Sequence, residues 1–323
     1  MTTTFDRQSF RAALGTFTTG VTIVTTRAGD GSAVGITANS FNSVSLEPPL
    51  VLWSLAKNAR SLAAFESAGQ WNVHVLSAQQ EALSGRFARQ GEDKFAGIEL
   101  DEGVGSAPLL RDCTARFQCR TASSYDGGDH VIFVGEVLAY DRSEHPPLVF
   151  QGGQYALAAR KPRDEIRLGA APSPDCCYTE DLLGYLLGRA HYQMLHRLRR
   201  LLDTDALDER TFFILSVLSI RDRLTLAQID GFIAYTGMRA SEAAIGALVA
   251  RGLVAPELAD GQVRYLLTAE GRAASLRHIA LAKAVEAEMT DKLGAGDAMA
   301  LKLLLKRLVA SSDPGAPDLW AAN

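Results

Sequence analysis

Gly35-Ile36-Thr37-Ala38-Asn39-Ser40-Phe41-Asn42-Ser43-Val44-Ser45-Leu46-Glu47-Pro48-Pro49-Leu50-Val51-Leu52-Trp53-Ser54-Leu55 reads as two short strands joined by a loop of small polar residues. The loop spans 37–45 and is closed by Glu47-Pro48-Pro49, because proline has no N–H to give to the ladder of a central strand. Only Phe41 within it is bulky. Small hydroxyl and amide side chains let backbone N–H groups approach a flat polar ligand, so the loop suits a ring bearing several carbonyls and nitrogens. The plainer alternative is an ordinary hairpin with a polar loop.

Toward the N-terminus, Phe10, Leu14 and Phe17 have the spacing of a short amphipathic helix that ends near Thr19 and Gly20. Residues 21–26 then alternate β-branched side chains, a strand signal, and Gly29-Asp30-Gly31 turns that strand back toward the central stretch. In the other direction, Lys57, Arg60 and Ser61 precede a helix expected over 62–68. Unsatisfied amides and positive charge converge at such a helix start, which makes it a candidate phosphate site; the alternative is Ser61 as a simple helix cap among solvated cations. Residues 71–76 form a strand in which His74 is a packed or surface residue, and 82–90 form a helix. Strands over 115–120 and 131–140 are joined by 123–130.

The pattern Gly-x-Thr-Ala-Asn-Ser-Phe-x-Ser-Val-Ser-Leu-x-Pro-Pro-Leu-Val-Leu over 35–52 resembles the flavin-binding signature of the short-chain NAD(P)H:flavin reductases that serve two-component aromatic monooxygenases. The opening over 10–26, Leu-Ser-x-x-Phe-Ala at 83–88 with Asp93-Lys94-Phe95 after it, Gly-Asp-His at 128–130, and Pro-Leu with Gly-x-Tyr over 147–155 extend the likeness across residues 10 to about 158. The resemblance implies an all-β, FMN-binding, six-stranded split barrel of Greek-key type that works as a homodimer with the flavin near the subunit interface. It implies FMN as cofactor, with FAD left open, and NADH as electron donor, with NADPH left open. Thr37, Ala38, Asn39, Ser40, Ser43, Ser54, Leu55, Lys57, Ser61, Phe87, Asp129 and Tyr155 are the implied cofactor contacts. Arg86 or Arg89 reaches the flavin phosphate, and the pattern does not say which. His130 is implied to lie beside the nicotinamide. Hydride passes directly between the two rings, so the demand on the protein is to stack them rather than to move protons, and His130 can supply a hydrogen bond or a ring face.

The whole chain of 323 residues is long enough for two domains, with 47% hydrophobic and 22% charged residues. It has no apolar run of about 18 residues that could span a bilayer, and its first residues lack the basic start and apolar core of a secretion signal, so a cytoplasmic protein without membrane contact is expected. Cys113, Cys119, Cys176 and Cys177 fit no metal spacing; they are expected to be reduced, two in a strand and two in a linker, and no metal is expected. A net charge of −4 gives no general attraction to nucleic acid.

Beyond residue 160 the composition turns to repeated Pro, Ala and Ser, a linker signal. The expected division is a split-barrel reductase domain over 1–160, a linker over 161–177, a second domain over 178–312 and a tail over 313–323. The second domain reads as helices over 182–202, 212–220, 226–235, 241–250, 269–293 and 298–309, with a β-hairpin over 253–268 turned by Asp260-Gly261. Leu248-Val249-Ala250-Arg251-Gly252-Leu253-Val254 and Leu267-Thr268-Ala269-Glu270-Gly271-Arg272 resemble a winged-helix domain of the MarR type. DNA binding by such a wing needs several cations. Residues 257–266 instead carry Glu257, Asp260 and only Arg264, and the candidate recognition helix has Arg239, Glu242 and Arg251. Across 175–312, 17 Lys and Arg stand against 17 Asp and Glu. Such a neutral module is expected to keep an aromatic-acid pocket rather than specific DNA binding.

A reductase joined to a MarR-like module resembles the reductase components of p-hydroxyphenylacetate hydroxylases. That likeness implies reduced flavin diffusing to a separate oxygenase, and a small phenolic effector such as p-hydroxyphenylacetate relieving inhibition by the C-terminal domain. The alternative from another class is a flavin- or redox-sensing MarR-type transcription regulator; an unregulated reductase with a vestigial tail is a lesser one.

Overall fold

The computed structural model of the chain describes residues 6–91, 93–161, 180–202, 208–312, 315 and 317–321. All but the first residue of the expected linker, with Cys176 and Cys177, lies outside the described residues. Contacts divide the chain into one unit of Met1–Arg160 with Gly294–Lys302, and another of Lys161–Leu293 with Leu303–Asn323.

The first unit opens with α1 (Arg7–Gly15), which starts where the Asp6 carboxylate accepts from the amides of Gln8 and Ser9. It stops at Gly15 rather than near residue 20, because Thr19 and Gly20 form β1 (Thr19–Gly20) and pair with Phe150 and Val149. There follow β2 (Thr22–Arg27), β3 (Ala33–Ala38), β4 (Asn42–Leu46), β5 (Pro49–Ala56), α2 (Leu62–Ser67), β6 (Gln70–Val75), α3 (Glu81–Ala88), β7 (Leu100–Asp101) and β8 (Leu109–Leu110). The long pair β9 (Ala115–Gly127) and β10 (His130–Arg142) comes next, then β11 (Leu148–Gln151) and β12 (Gln154–Leu157).

Seven strands make one antiparallel sheet in the order β3-β2-β6-β9-β10-β5-β4. Its two edges, β3 and β4, are consecutive in the chain and joined only by residues 39–41. Four residue steps reach at most about 14 Å, so the edges are forced together and the sheet curls on itself. The expected loop over 37–45 is therefore mostly strand, and β4 is the strand by which seven exceed the six expected. Val44 and Leu46 face outward on β4, so the usual sign of a core-facing strand was missing there.

Inside the curl, Trp53 stacks on Phe133 at 5.3 Å between ring centres, and Phe65 meets Trp53 edge-on at 4.8 Å. Full burial of a large apolar side chain contributes roughly 1.5–3 kcal/mol. Trp71 fits because β10 carries Gly135 opposite it; a β-carbon there would lie 2.4 Å from the Trp71 ring. Phe87 takes the same advantage of Gly35, where a β-carbon would meet its ring at 2.5 Å.

His74 is completely buried in β6. Its Nδ1 lies 2.9 Å from the Ile23 carbonyl and its Nε2 accepts the Leu110 amide at 3.0 Å, so the network assigns a neutral ring protonated on Nδ1. Burial pushes His74 down to about 4 from the ordinary 6.5. Between these values the unfolded chain binds the proton and the folded one does not, so stability is full above pH 6.5 and falls as pH drops toward about 4, by roughly 3 kcal/mol. Urea midpoints followed from neutral to about pH 4 should drop more steeply for the wild type than for His74→Gln. Equal slopes would place the acid sensitivity elsewhere.

The second unit contains α4 (Leu183–Leu202), α5 (Glu209–Ile220), α6 (Leu226–Ile233), α7 (Glu242–Ala250), the hairpin β13 (Val254–Ala259) and β14 (Gln262–Leu267), and α8 (Ala269–Leu293). The chain then enters α9 (Ala295–Ser311). Caps explain the starts: Asp208 accepts from Thr211, Thr225 and Gln228 cap reciprocally, and Ser241 accepts from Ala244. Asp260 and Gly261 turn the hairpin with φ of 51° and 74°, as a two-residue primed turn requires. Ile214, Leu215, Leu218, Ile229, Ile233, Ile245 and Leu248 form its core. The Leu-Thr-x-Glu-Gly-Arg motif has a packing reason. The Thr268 hydroxyl donates to the Gly252 carbonyl (2.6 Å) and accepts the Gly271 amide (3.0 Å), and a β-carbon on Gly271 would sit 1.8 Å from the Leu253 carbonyl oxygen.

Candidate functional site

The place where the sheet closes is its least regular part. β4 pairs with β5 only as far as Leu52, so from Trp53 onward β5 faces the 39–41 link instead of a strand. The Ser40 hydroxyl substitutes for a ladder there, accepting the Ser54 amide at 2.9 Å and donating to the Ser54 carbonyl at 3.0 Å. Beside it, Ala38 is half-buried and Asn39 exposed, so the seam presents short side chains and main chain. Ser43 is exposed on edge strand β4, opposite Val51, one step from a bulge.

Past β5, the Lys57 amide donates to the Asp129 carbonyl at 2.9 Å, tying the turn that leads into α2 to the β9–β10 turn. The Lys57 ammonium is engaged with Asp126 at 2.7 Å on the surface. Ser61 does not cap α2; its hydroxyl is buried and has no hydrogen-bond partner among the described residues. A buried hydroxyl without a partner costs about 1–3 kcal/mol, so a polar ligand atom at that point would remove a penalty. On the adjoining turn, His130 Nδ1 lies 2.7 Å from Asp129 Oδ1 while its side chain stays 44% exposed. An ionised carboxylate only accepts, so Nδ1 carries the proton and Nε2 is left as an acceptor when the ring is neutral.

A second group of residues lies around α3. The Thr37 hydroxyl donates to the Ser84 carbonyl at 2.7 Å, and the buried Ser84 hydroxyl shares a hydrogen bond of 2.8 Å with the Tyr155 phenol. Tyr155, Arg86, Arg89, Lys94 and Glu81 line an open cleft of about 940 Å³. Arg86 is committed to the carbonyls of Ala96 (2.6 Å) and Asp93 (3.3 Å), whereas exposed Arg89 makes no ion pair among the described residues. Lys94 donates to the Phe87 carbonyl at 2.8 Å and the Gly35 carbonyl at 3.3 Å, and partial burial lowers its pKa from the ordinary lysine value.

The side chains of Leu55 and Phe87 are 3% and 0% exposed, each inside a hydrophobic cluster, so neither can touch a ligand except through its main chain. Ser40 and Ser54 likewise hold each other at the seam. Lys94, within the Asp-Lys-Phe pattern, also lines the cleft, and the Ser84–Tyr155 link spans 71 positions and leaves no local signal in the sequence. Among the described residues no His, Cys, Asp or Glu cluster could hold a metal ion. Cys119 lies in β9 and Cys113 just before it, both buried and reduced, with burial pushing each thiol up to about 12.

The model of the flavin reductase like domain matches residues 14–158. FMN reductase (NADH) SmoA of Agrobacterium fabrum is 49% identical over 156 residues, which are 48% of this chain and 87% of the relative. The reductase subunit HsaB of a flavin-dependent monooxygenase of Rhodococcus jostii is 44% identical, over 46% of this chain and 77% of its own. Among solved structures, the NADH:FAD oxidoreductase SgcE6 of Streptomyces globisporus, in complex with NAD and FAD fragments, is 38% identical, covering 48% of this chain and 93% of its own with a TM-score of 0.46.

Proposed function

The chain belongs to the flavin reductase-like family, and from that premise we propose that it is an oxidoreductase that uses NADH to reduce FMN and releases the reduced flavin to a separate oxygenase component. The single observation that carries the reading is the seam between β3 and β5. Short side chains and main chain line it, the Ser61 hydroxyl, without a hydrogen-bond partner among the described residues, follows five residues after the end of β5, and His130, oriented by Asp129, pairs with Ala56 at that end. The chemistry supplied by the cofactors is direct hydride transfer from nicotinamide to flavin, so the chain's own task is placement. Ala38, Asn39 and the Ser54 strand would border the flavin ring, Ser61 would donate a hydrogen bond to a polar flavin atom, and Arg89, rather than the committed Arg86, would meet the phosphate. His130 would position the nicotinamide.

The second unit supports a MarR-like winged helix that senses a small phenol, p-hydroxyphenylacetate being the first choice. Three of its cations are paired, Arg239 with Asp230 at 2.6 Å, Arg223 with Glu257 at 3.1 Å and Arg272 with Asp222 at 3.1 Å, which lowers the positive charge these positions offer a phosphate backbone. A homodimer fits the exposed Phe10, Leu14 and Phe17 of the first unit. Among the described residues no helix is long and apolar enough to cross a membrane.

Titration with FMN tests the reading. Flavin fluorescence should change saturably at micromolar concentrations, and Ser61→Ala should weaken binding about 5–10-fold, the effect of one lost hydrogen bond of about 1 kcal/mol. No change in fluorescence would remove the assignment of the seam.

A further inference from the structure

We infer that Arg221 forms a carboxylate site in the second unit, occupied in this structure by the chain's own C-terminal segment, and that an aromatic carboxylate takes the site by displacing residues 317–321. The inference rests on the proposal that this unit senses a small phenolic acid and supplies a location for it.

Arg221 is the residue that caps the C-terminus of α5, its amide donating to the Val217 carbonyl. Its guanidinium turns to the tail: Nε donates to the Leu319 carbonyl at 2.8 Å, one terminal nitrogen donates to the Asp318 carbonyl at 3.2 Å, and the same nitrogen is bonded to the Ala321 carbonyl. The plane lies over the Phe232 ring at 5.6 Å from its centre. Leu319 meanwhile packs against the hydrophobic core of the unit, and Pro317 lies against Gly231 of α6, its Cγ 3.5 Å from where a β-carbon would be. The tail thus places main-chain oxygens on a guanidinium and an apolar side chain against the core beside it.

An aromatic carboxylate has the same two parts in one small molecule. A carboxylate accepts from a guanidinium through charge-assisted hydrogen bonds about twice as strong as those to neutral carbonyls. The ring would take the apolar seat of Leu319 beside Phe232. Of the segment's own side chains, Asp318 accepts the Trp320 amide (2.8 Å) and Trp320 is 77% exposed, so the seat rests on the Arg221 contacts, Leu319 and Pro317. Binding is then reduced by the fraction of time the tail is seated, and removing the tail removes that reduction.

The test uses the full chain and measures p-hydroxyphenylacetate binding by calorimetry, with 4-methylphenol as the analogue lacking the carboxylate. Deleting residues 313–323 should tighten p-hydroxyphenylacetate binding about 10-fold, the gain expected if the tail is seated nine-tenths of the time. Leu319→Ala, which loosens the seat and keeps the chain length, should act in the same direction if the deletion fails to fold. Arg221→Met should weaken binding about 10–100-fold, the loss of charge-assisted hydrogen bonds. 4-Methylphenol should bind much more weakly and should not respond to Arg221→Met, since it has no carboxylate to meet the guanidinium. If Arg221→Met and Leu319→Ala leave the affinity unchanged while p-hydroxyphenylacetate still stimulates NADH oxidation, the location is wrong and phenol sensing stands. Binding that follows the predicted pattern without any stimulation would uphold the site and overturn the sensing role.

Discussion

His130→Ala lowers the rate of flavin reduction by NADH about 10–100-fold and leaves FMN affinity nearly unchanged. The expectation follows from what His130 touches. Its Nδ1 is held by Asp129 at 2.7 Å, on a turn fixed to the start of the α2 loop by the Lys57 amide, and its ring remains partly exposed where His130 pairs with Ala56 at the end of β5. No side chain needs to move a proton for hydride transfer, so His130 acts by placing one ring against another, where small errors of position are costly. Asp129→Asn, which keeps a hydrogen bond but removes the charge, should fall between the wild type and His130→Ala. Stopped-flow reduction at an unaltered rate in His130→Ala would make the histidine structural.

A chain ending within 161–177 should reduce flavin rapidly without any phenol and ignore added phenols. The intact chain should be slow alone and accelerated by one of them, p-hydroxyphenylacetate before a hydroxybenzoate. Coupling of about 1–3 kcal/mol corresponds to roughly 5–150-fold. The chemical reason for such restraint is that free reduced flavin reacts with oxygen, so making it without a substrate to hydroxylate consumes NADH and yields peroxide. SmoA makes the shortened chain a reasonable protein, because the match to the first half of this chain already covers 87% of it. A truncated chain as slow as the intact one, or an intact chain that answers no phenol, would end the autoinhibition account while leaving the flavin chemistry in place.

The fold of the second unit was largely written in local signals: the Asp260-Gly261 turn, the caps at Asp208, Thr225 and Ser241, and helical spacing each act within a few residues. The first unit was harder where long-range closure decides. β4 reads as loop because its small polar residues hide a strand whose apolar side chains, Val44 and Leu46, point away from the core. The seam residues Ser40 and Ser54 could be named from a motif, but that they complete each other's hydrogen bonds depends on the curl of the sheet. Leu55 and Phe87, named from two different patterns, have buried side chains, and a pattern does not separate positions needed for packing from positions that could meet a ligand. That Arg86 is held by the carbonyls of Asp93 and Ala96 while Arg89 is exposed is a difference that spacing cannot place.

Anaerobic mixing of the intact chain, FMN and NADH, with and without p-hydroxyphenylacetate, tests the central claim most directly. The flavin's visible absorbance should bleach with NADH in proportion, slowly without the phenol and roughly 5–150-fold faster with it. An absorbance that NADH leaves unchanged in the presence of every phenol tried would contradict the account.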